Sequence, residues 1–193
     1  MLHPIVAPSI IYYIILFHAD LRFFNLNKQH FLLLIFGTSF ILLSFFLILF
    51  RKLDWIASLQ MHERKERRKP LIFTLVFLLC LSYYIKLSYP NHPILSIVIL
   101  MISFSTFLIL IITEFWKISV HAAGIGGVMG VLYYLYLYKD TISLFLLFLF
   151  LFISTLLLLS RLILNAHNHL QLLAGFFLSF SLSFYTSMIF IDC

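Results

Sequence analysis

The sequence predicts an all-α protein: a polytopic transmembrane bundle of six to seven helices. Three observations carry this. Uncharged apolar runs of the length that crosses a bilayer recur along the chain, and a helix needs about 20 such residues for a core of about 30 Å. Of 193 residues, 63% are apolar and 10% charged, against roughly 25% charged in a soluble domain. The polar residues that remain fall in short clusters between the runs. So little polar surface cannot wrap a water-facing shell, which excludes a soluble globule, a coiled coil and a disordered chain. Cys80 lies inside an apolar run and Cys193 ends the chain. Nothing in the sequence suggests that they pair.

The elements follow in order. The first run, residues 2–19, holds Pro4 and Pro8 and is expected to begin at the interface before it spans. Residues 30–50 carry no charge and end in Arg51 and Lys52, a membrane exit. The strongly polar stretch 51–69 is closed by Pro70, which suits the first turn of a helix over 71–88. Lys86 is near enough to that helix's end to snorkel. Tyr89, Pro90, Asn91, His92 and Pro93 read as a tight turn before a span over 94–113. Residues 119–138 form the next span, Lys139 and Asp140 a short turn, 141–160 a further span and 170–191 the last. Residues 1–8 lack a basic stretch, so no signal peptide is expected, and residues 1–193 read as one integral membrane domain.

Three polar clusters, residues 64–69, 117–121 and 160–171, are separated by helical hairpins. Span counting therefore brings all three to one membrane face. Their chemistry is Arg, Lys, His and Ser with little acid, which suits an oxyanion such as phosphate. Each cluster also has a plainer reading. The basic stretch 64–69 is equally a loop obeying the positive-inside rule, and Arg161 beside Ser160 is equally a snorkelling anchor. His121 and His167 are equally interfacial or helix-packing histidines. Gly124, Gly126, Gly127 and Gly130 suit close helix packing more than a phosphate cradle. No carboxylate accompanies the histidines at ligand spacing, so no metal site is expected.

Together the clusters resemble the three motifs of the type 2 phosphatidic acid phosphatase superfamily, over about residues 60–190. Its third motif, Ser-Arg, five residues, His, three residues, Asp, is matched by Ser160, Arg161 and His167, with Gln171 in the place of the Asp. Its second, Pro-Ser-Gly-His, is matched by Ile118, Ser119, Val120 and His121, which keep the Ser and the His. Its first, Lys, six residues, Arg-Pro, is echoed by His62, Lys69 and Pro70, with Arg64, Arg67 and Arg68 nearby. The resemblance implies a phosphatase in which His167 is the nucleophile and His121 the acid that protonates the leaving oxygen. Arg161 and Ser119 would bind phosphate oxygens, and Arg64 and Arg67 are the candidates for the first motif's two cations. Gln171 would orient His167 without supplying the charge that an Asp provides, which implies slow or specialised turnover, or a degenerate member.

The expected function is thus a membrane phosphatase acting on a lipid phosphomonoester or pyrophosphate through a phosphohistidine. The alternative is a phosphate- or lipid-binding scaffold without turnover. A transporter would need a second set of intramembrane charges or an interrupted helix pair, and the sequence offers neither. No cofactor is expected. The expected partners are a phosphorylated lipid substrate and membrane lipids, with no nucleic acid, and the expected setting is a bacterial cytoplasmic membrane. Thirteen Lys and Arg against seven Asp and Glu give a net charge of +6. Nine of the cations (Arg51, Lys52, Arg64, Lys65, Arg67, Arg68, Lys69, Lys117, Arg161) fall on the face of the motifs, and four (Arg22, Lys28, Lys86, Lys139) on the other. The count favours a cytoplasmic site. The resemblance favours an external one, and removing the five cations of 64–69 as functional leaves four against four.

Overall fold

The computed structural model describes residues 4–19, 26–56, 61 and 63–191. They form seven helices, and no strand occurs among them. Helix α1 is Ala7–His18, entered by a single 3-10 turn at Pro4–Val6. Helices α2 (Lys28–Lys52), α4 (Pro93–Phe115), α5 (Val120–Tyr138), α6 (Leu144–Ile163) and α7 (His169–Phe190) follow, with α3 (Arg68–Ser88) after a 3-10 turn at Lys65–Arg67. The six from α2 to α7 are long and apolar enough to cross a membrane. The chain is an integral membrane protein.

The first expected span is corrected. Helix α1 has 12 residues, about 18 Å, where the hydrocarbon core needs about 30 Å. Pro8 sits in its first turn, where a missing N–H is harmless, and so marks a start inside the apolar run. The helix is buried along Ile11, Tyr12, Ile14, Ile15 and Leu16, and its outer edge, Tyr13 and Phe17, is exposed. Residues 2 and 3 of that expected span lie outside the described residues.

Helix α2 carries a π turn at Gly37–Leu42. There Thr38 and Ser39 donate their hydroxyls to Leu34 O (2.8 Å) and Ile35 O (2.6 Å), a competition for carbonyls that loosens the turn. Ser39 also meets Ser9 of α1 at 3.3 Å. The α3–α4 hairpin closes through a turn in which His92 N–H bonds Tyr89 O (3.0 Å), and Ser82 of α3 bonds Ser96 O of α4 (2.9 Å).

Helix α5 is the centre of the bundle: 67% of its membrane window is buried, against 6% for α6, whose Leu and Phe therefore face lipid. The closest pairing is α5 with α7. A Cβ at Gly126 would strike the Phe176 carbonyl, one at Gly130 the Ser183 hydroxyl and the Phe180 carbonyl, and one at Gly175 the Ser119 carbonyl. Small residues four apart let these backbones touch.

Helix α6 is displaced by three residues from the expected 141–160. Ser143 caps it by accepting from Leu146 N–H (3.2 Å), which fixes the start at Leu144, and no breaker intervenes before Asn165. Arg161 consequently stands in the last turn of α6. The ends of α2, α4 and α6 and the starts of α3, α5 and α7 share one end of the bundle, as the alternation of six spans requires.

Candidate functional site

Three local devices build that end. At the close of α6, Asn165 takes a left-handed backbone (φ 49°). Asn165 N–H bonds Leu162 O (2.9 Å) and Ala166 N–H bonds Arg161 O (3.0 Å), the paired bonds of a Schellman turn. The turn reverses the chain so that His167 follows Arg161 into one corner. At the start of α7, Asn168 Oδ1 accepts from Gln171 N–H (2.9 Å) while Gln171 Oε1 accepts from Asn168 N–H (3.3 Å), a capping box. At the start of α5, Ser119 accepts from Ala122 N–H (3.3 Å), and its own N–H bonds Gln171 O (3.2 Å), tying the two helix starts together.

Arg67 supplies the third side. Its guanidinium is buried and donates from Nε to Met61 O (3.0 Å) and from Nη1 to Ile118 O (3.1 Å). One side chain thereby fastens the turn before α3 to the segment before α5. Arg67, His121, Arg161 and His167 line a single cavity of about 180 Å³. No carboxylate lines it, and its remaining walls are apolar apart from a few hydroxyls.

The tautomer of His167 follows from the capping box. Asn168 N–H can only donate, so the Gln171 atom it meets is the carbonyl oxygen. That oxygen is also 3.0 Å from His167 Nδ1, which must therefore carry the proton. Nε2 is left with its lone pair. Burial, then the nearby Arg67, Lys117 and Arg161, push the His167 pKa from 6.5 down to about 4, against the opposing pull of the Gln171 hydrogen bond. Lys117 is shifted down by burial and by Arg67 and Arg161. The charges acting on His167 are thus cations. Glu114, the acid that could have replaced the missing carboxylate, pairs with Arg68 at 3.3 Å, with both side chains exposed.

Of the residues singled out in the sequence, the structure brings together Arg67, His121, Arg161, His167 and Gln171. Ser119 is fully buried, and its oxygen caps α5 instead of lining the cavity. Arg64 does not line the cavity either; its carbonyl accepts from Arg67 N–H (3.2 Å) at the 3-10 turn. His62 lies outside the described residues. Lys69, in the place of the first motif's Arg, sits over the Trp55 ring at 4.9 Å. The glycines divide: Gly124 and Gly127 line the cavity, while Gly126 and Gly130 pack on α7. Lys117, which the sequence placed in the second cluster without a role, does not line the cavity but is near enough to act on His167 through its charge. Among the described residues no group of three His, Cys, Asp or Glu could hold a metal.

A neutral imidazole with a bare Nε2, two guanidiniums and a helix start at Val120 and His121 form a cavity end that favours an anion over a cation. No family model, curated protein or solved structure matches the chain.

Proposed function

We propose that the protein is a membrane phosphatase that removes a phosphomonoester or pyrophosphate phosphate from a lipid through a phosphohistidine. The observation that carries this reading is the composition of one cavity: two arginines and two histidines at the membrane-face end, no carboxylate, and apolar walls beyond. The motif resemblance supports the assignment of roles. Arg67 and Arg161 hold the non-bridging oxygens. His167 Nε2 attacks phosphorus as the bond to the lipid oxygen breaks, and His121 gives that oxygen its proton. Water, deprotonated by His121, then attacks the phosphohistidine, releasing phosphate and restoring neutral His167. Gln171 fixes the tautomer for the attack but brings no charge to the imidazolium that forms, so turnover is slow relative to a site with a carboxylate there.

Phosphate release from a panel of lipid phosphates and pyrophosphates, measured on the purified chain in detergent, tests the proposal. His167→Ala is expected to abolish release. His121→Ala is expected to keep part of it on pyrophosphates, whose better leaving group needs less acid help. The amide at Gln171 favours a second reading, a binding protein without turnover. Vanadate or phosphate binding with no release from any lipid would establish that reading and overturn the first.

A further inference from the structure

The cationic groups occupy only one end of the cavity. At 1.5 Å per residue, Leu78 stands about 16 Å along α3 from Arg67, and Leu182 about 20 Å along α7 from His169; Leu78 and Leu182 line the cavity together with Met101 of α4. It therefore reaches about as deep as one leaflet, half of a core of about 30 Å. Its volume is about 180 Å³. Drawn out over that depth, it has room for one hydrocarbon chain at most and not for two side by side.

Helix α1 closes the deep end. Its last turn is fixed at the opposite membrane face, where Lys28 Nζ donates to Leu16 O (2.6 Å) and Tyr12 OH bonds Leu95 O in the first turn of α4. Its first turn lies at mid-depth, where Ser9 meets Ser39, 11 residues into α2 by sequence. Ile5, Ala7, Pro8 and Ile11 line the cavity from below. Gly127 faces the same level. A Cβ there would meet only Ile11 Cδ1 at 3.8 Å and Ser179 Cβ at 3.9 Å, so helix packing does not require that glycine. What a side chain would occupy is the cavity itself.

We propose that the cavity is a single-chain tunnel whose floor, the first turn of α1 with Gly127 above it, limits the inserted lipid chain to about one leaflet in length. The phosphate end then serves amphiphiles with a fatty-length chain and rejects long polyprenyl phosphates. This rests on the phosphate-binding reading of the cationic end.

The test uses the full chain in detergent with monoalkyl phosphates lengthened stepwise, a long polyprenyl phosphate, and inorganic phosphate as the chainless reference. Binding is read as protection from thermal unfolding, and phosphate release is read separately. Binding is expected to hold up to a leaflet-length chain and then to fall about tenfold, the order of penalty that overfilling a packed site brings. Gly127→Leu should move the cut-off to shorter chains and Ile11→Ala to longer ones, each profile read against that variant's own inorganic phosphate affinity. Should Gly127→Leu not fold, Gly127→Ala, whose Cβ makes ordinary contacts, should give a smaller shift in the same direction. A profile without a cut-off, equal tolerance of the polyprenyl phosphate, or a cut-off that neither variant moves would overturn the tunnel. Binding with a cut-off but no phosphate release overturns the phosphatase reading and leaves the tunnel standing. Release with no cut-off does the reverse.

Discussion

At the residue scale the decisive pair is His167 and Gln171. Their spacing was legible in the sequence, but the proton's position was not, because it depends on a capping box that engages the same glutamine oxygen. That geometry also selects the informative substitution. Gln171→Asp, the replacement suggested by the motif, shortens the side chain and loosens the box. Gln171→Glu keeps the reach and adds the charge. Titrated by NMR, wild-type His167 is expected to protonate at about 4, and Gln171→Glu to raise that value by about one unit or more and turnover about tenfold. A lower rate in a folded Gln171→Glu protein would mean that Gln171 serves another partner. The same shift sets a pH dependence of stability. Between pH 6.5 and about 4 the unfolded chain binds a proton that the folded chain refuses, so stability is full above that window and falls as pH drops through it. Thermal unfolding of His167→Gln across the window should show a shallower slope than wild type. Ser119 and Arg64 teach the converse: the motif resemblance proposed them as ligands, whereas one is occupied with capping and the other stands outside the cavity.

At the element scale the spans from α2 to α7 were legible because lipid imposes a length and a charge-free composition on each. Their ends were less so. The start of α6 is set by a Ser143 cap and its end by a left-handed Asn165, local devices that hydropathy does not register. Helix α1 was misjudged for a related reason: a run apolar enough for lipid is also apolar enough for the interior of a bundle, and only packing distinguishes the two. The glycines of α5 show how packing divides a single sequence cluster. Gly130→Ala would drive its Cβ into the Ser183 hydroxyl and the Phe180 carbonyl of α7, whereas at Gly127 a Cβ meets only ordinary contacts. Gly130→Ala is expected to cost about 1–3 kcal/mol in detergent unfolding and Gly127→Ala much less. Equal losses would mean that the α5–α7 contact is not what these glycines serve.

At the scale of the whole molecule, span counting was enough to gather the clusters at one end, since an even number of crossings separates each from the next. The structure also sharpens the orientation. Of the five cations between residues 64 and 69, Arg67 alone lines the cavity; Arg64, Lys65, Arg68 and Lys69 stand outside it and count as topology signals. The site end is therefore expected to face the cytoplasm. In cells, with Cys80 and Cys193 replaced by Ser, a membrane-impermeant thiol reagent should label Ser88→Cys from outside and leave Glu63→Cys untouched until the membrane is opened. The opposite pattern would place the site outside. The half-length α1 has a consequence for the bilayer itself. Because the far leaflet's share of the bundle interior is filled by that helix, a lipid that enters the site has no path through to the other side. On the phosphatase reading proposed above, substrate and product would belong to the same leaflet, so that the headgroups of one monolayer change without any lipid being carried to the other.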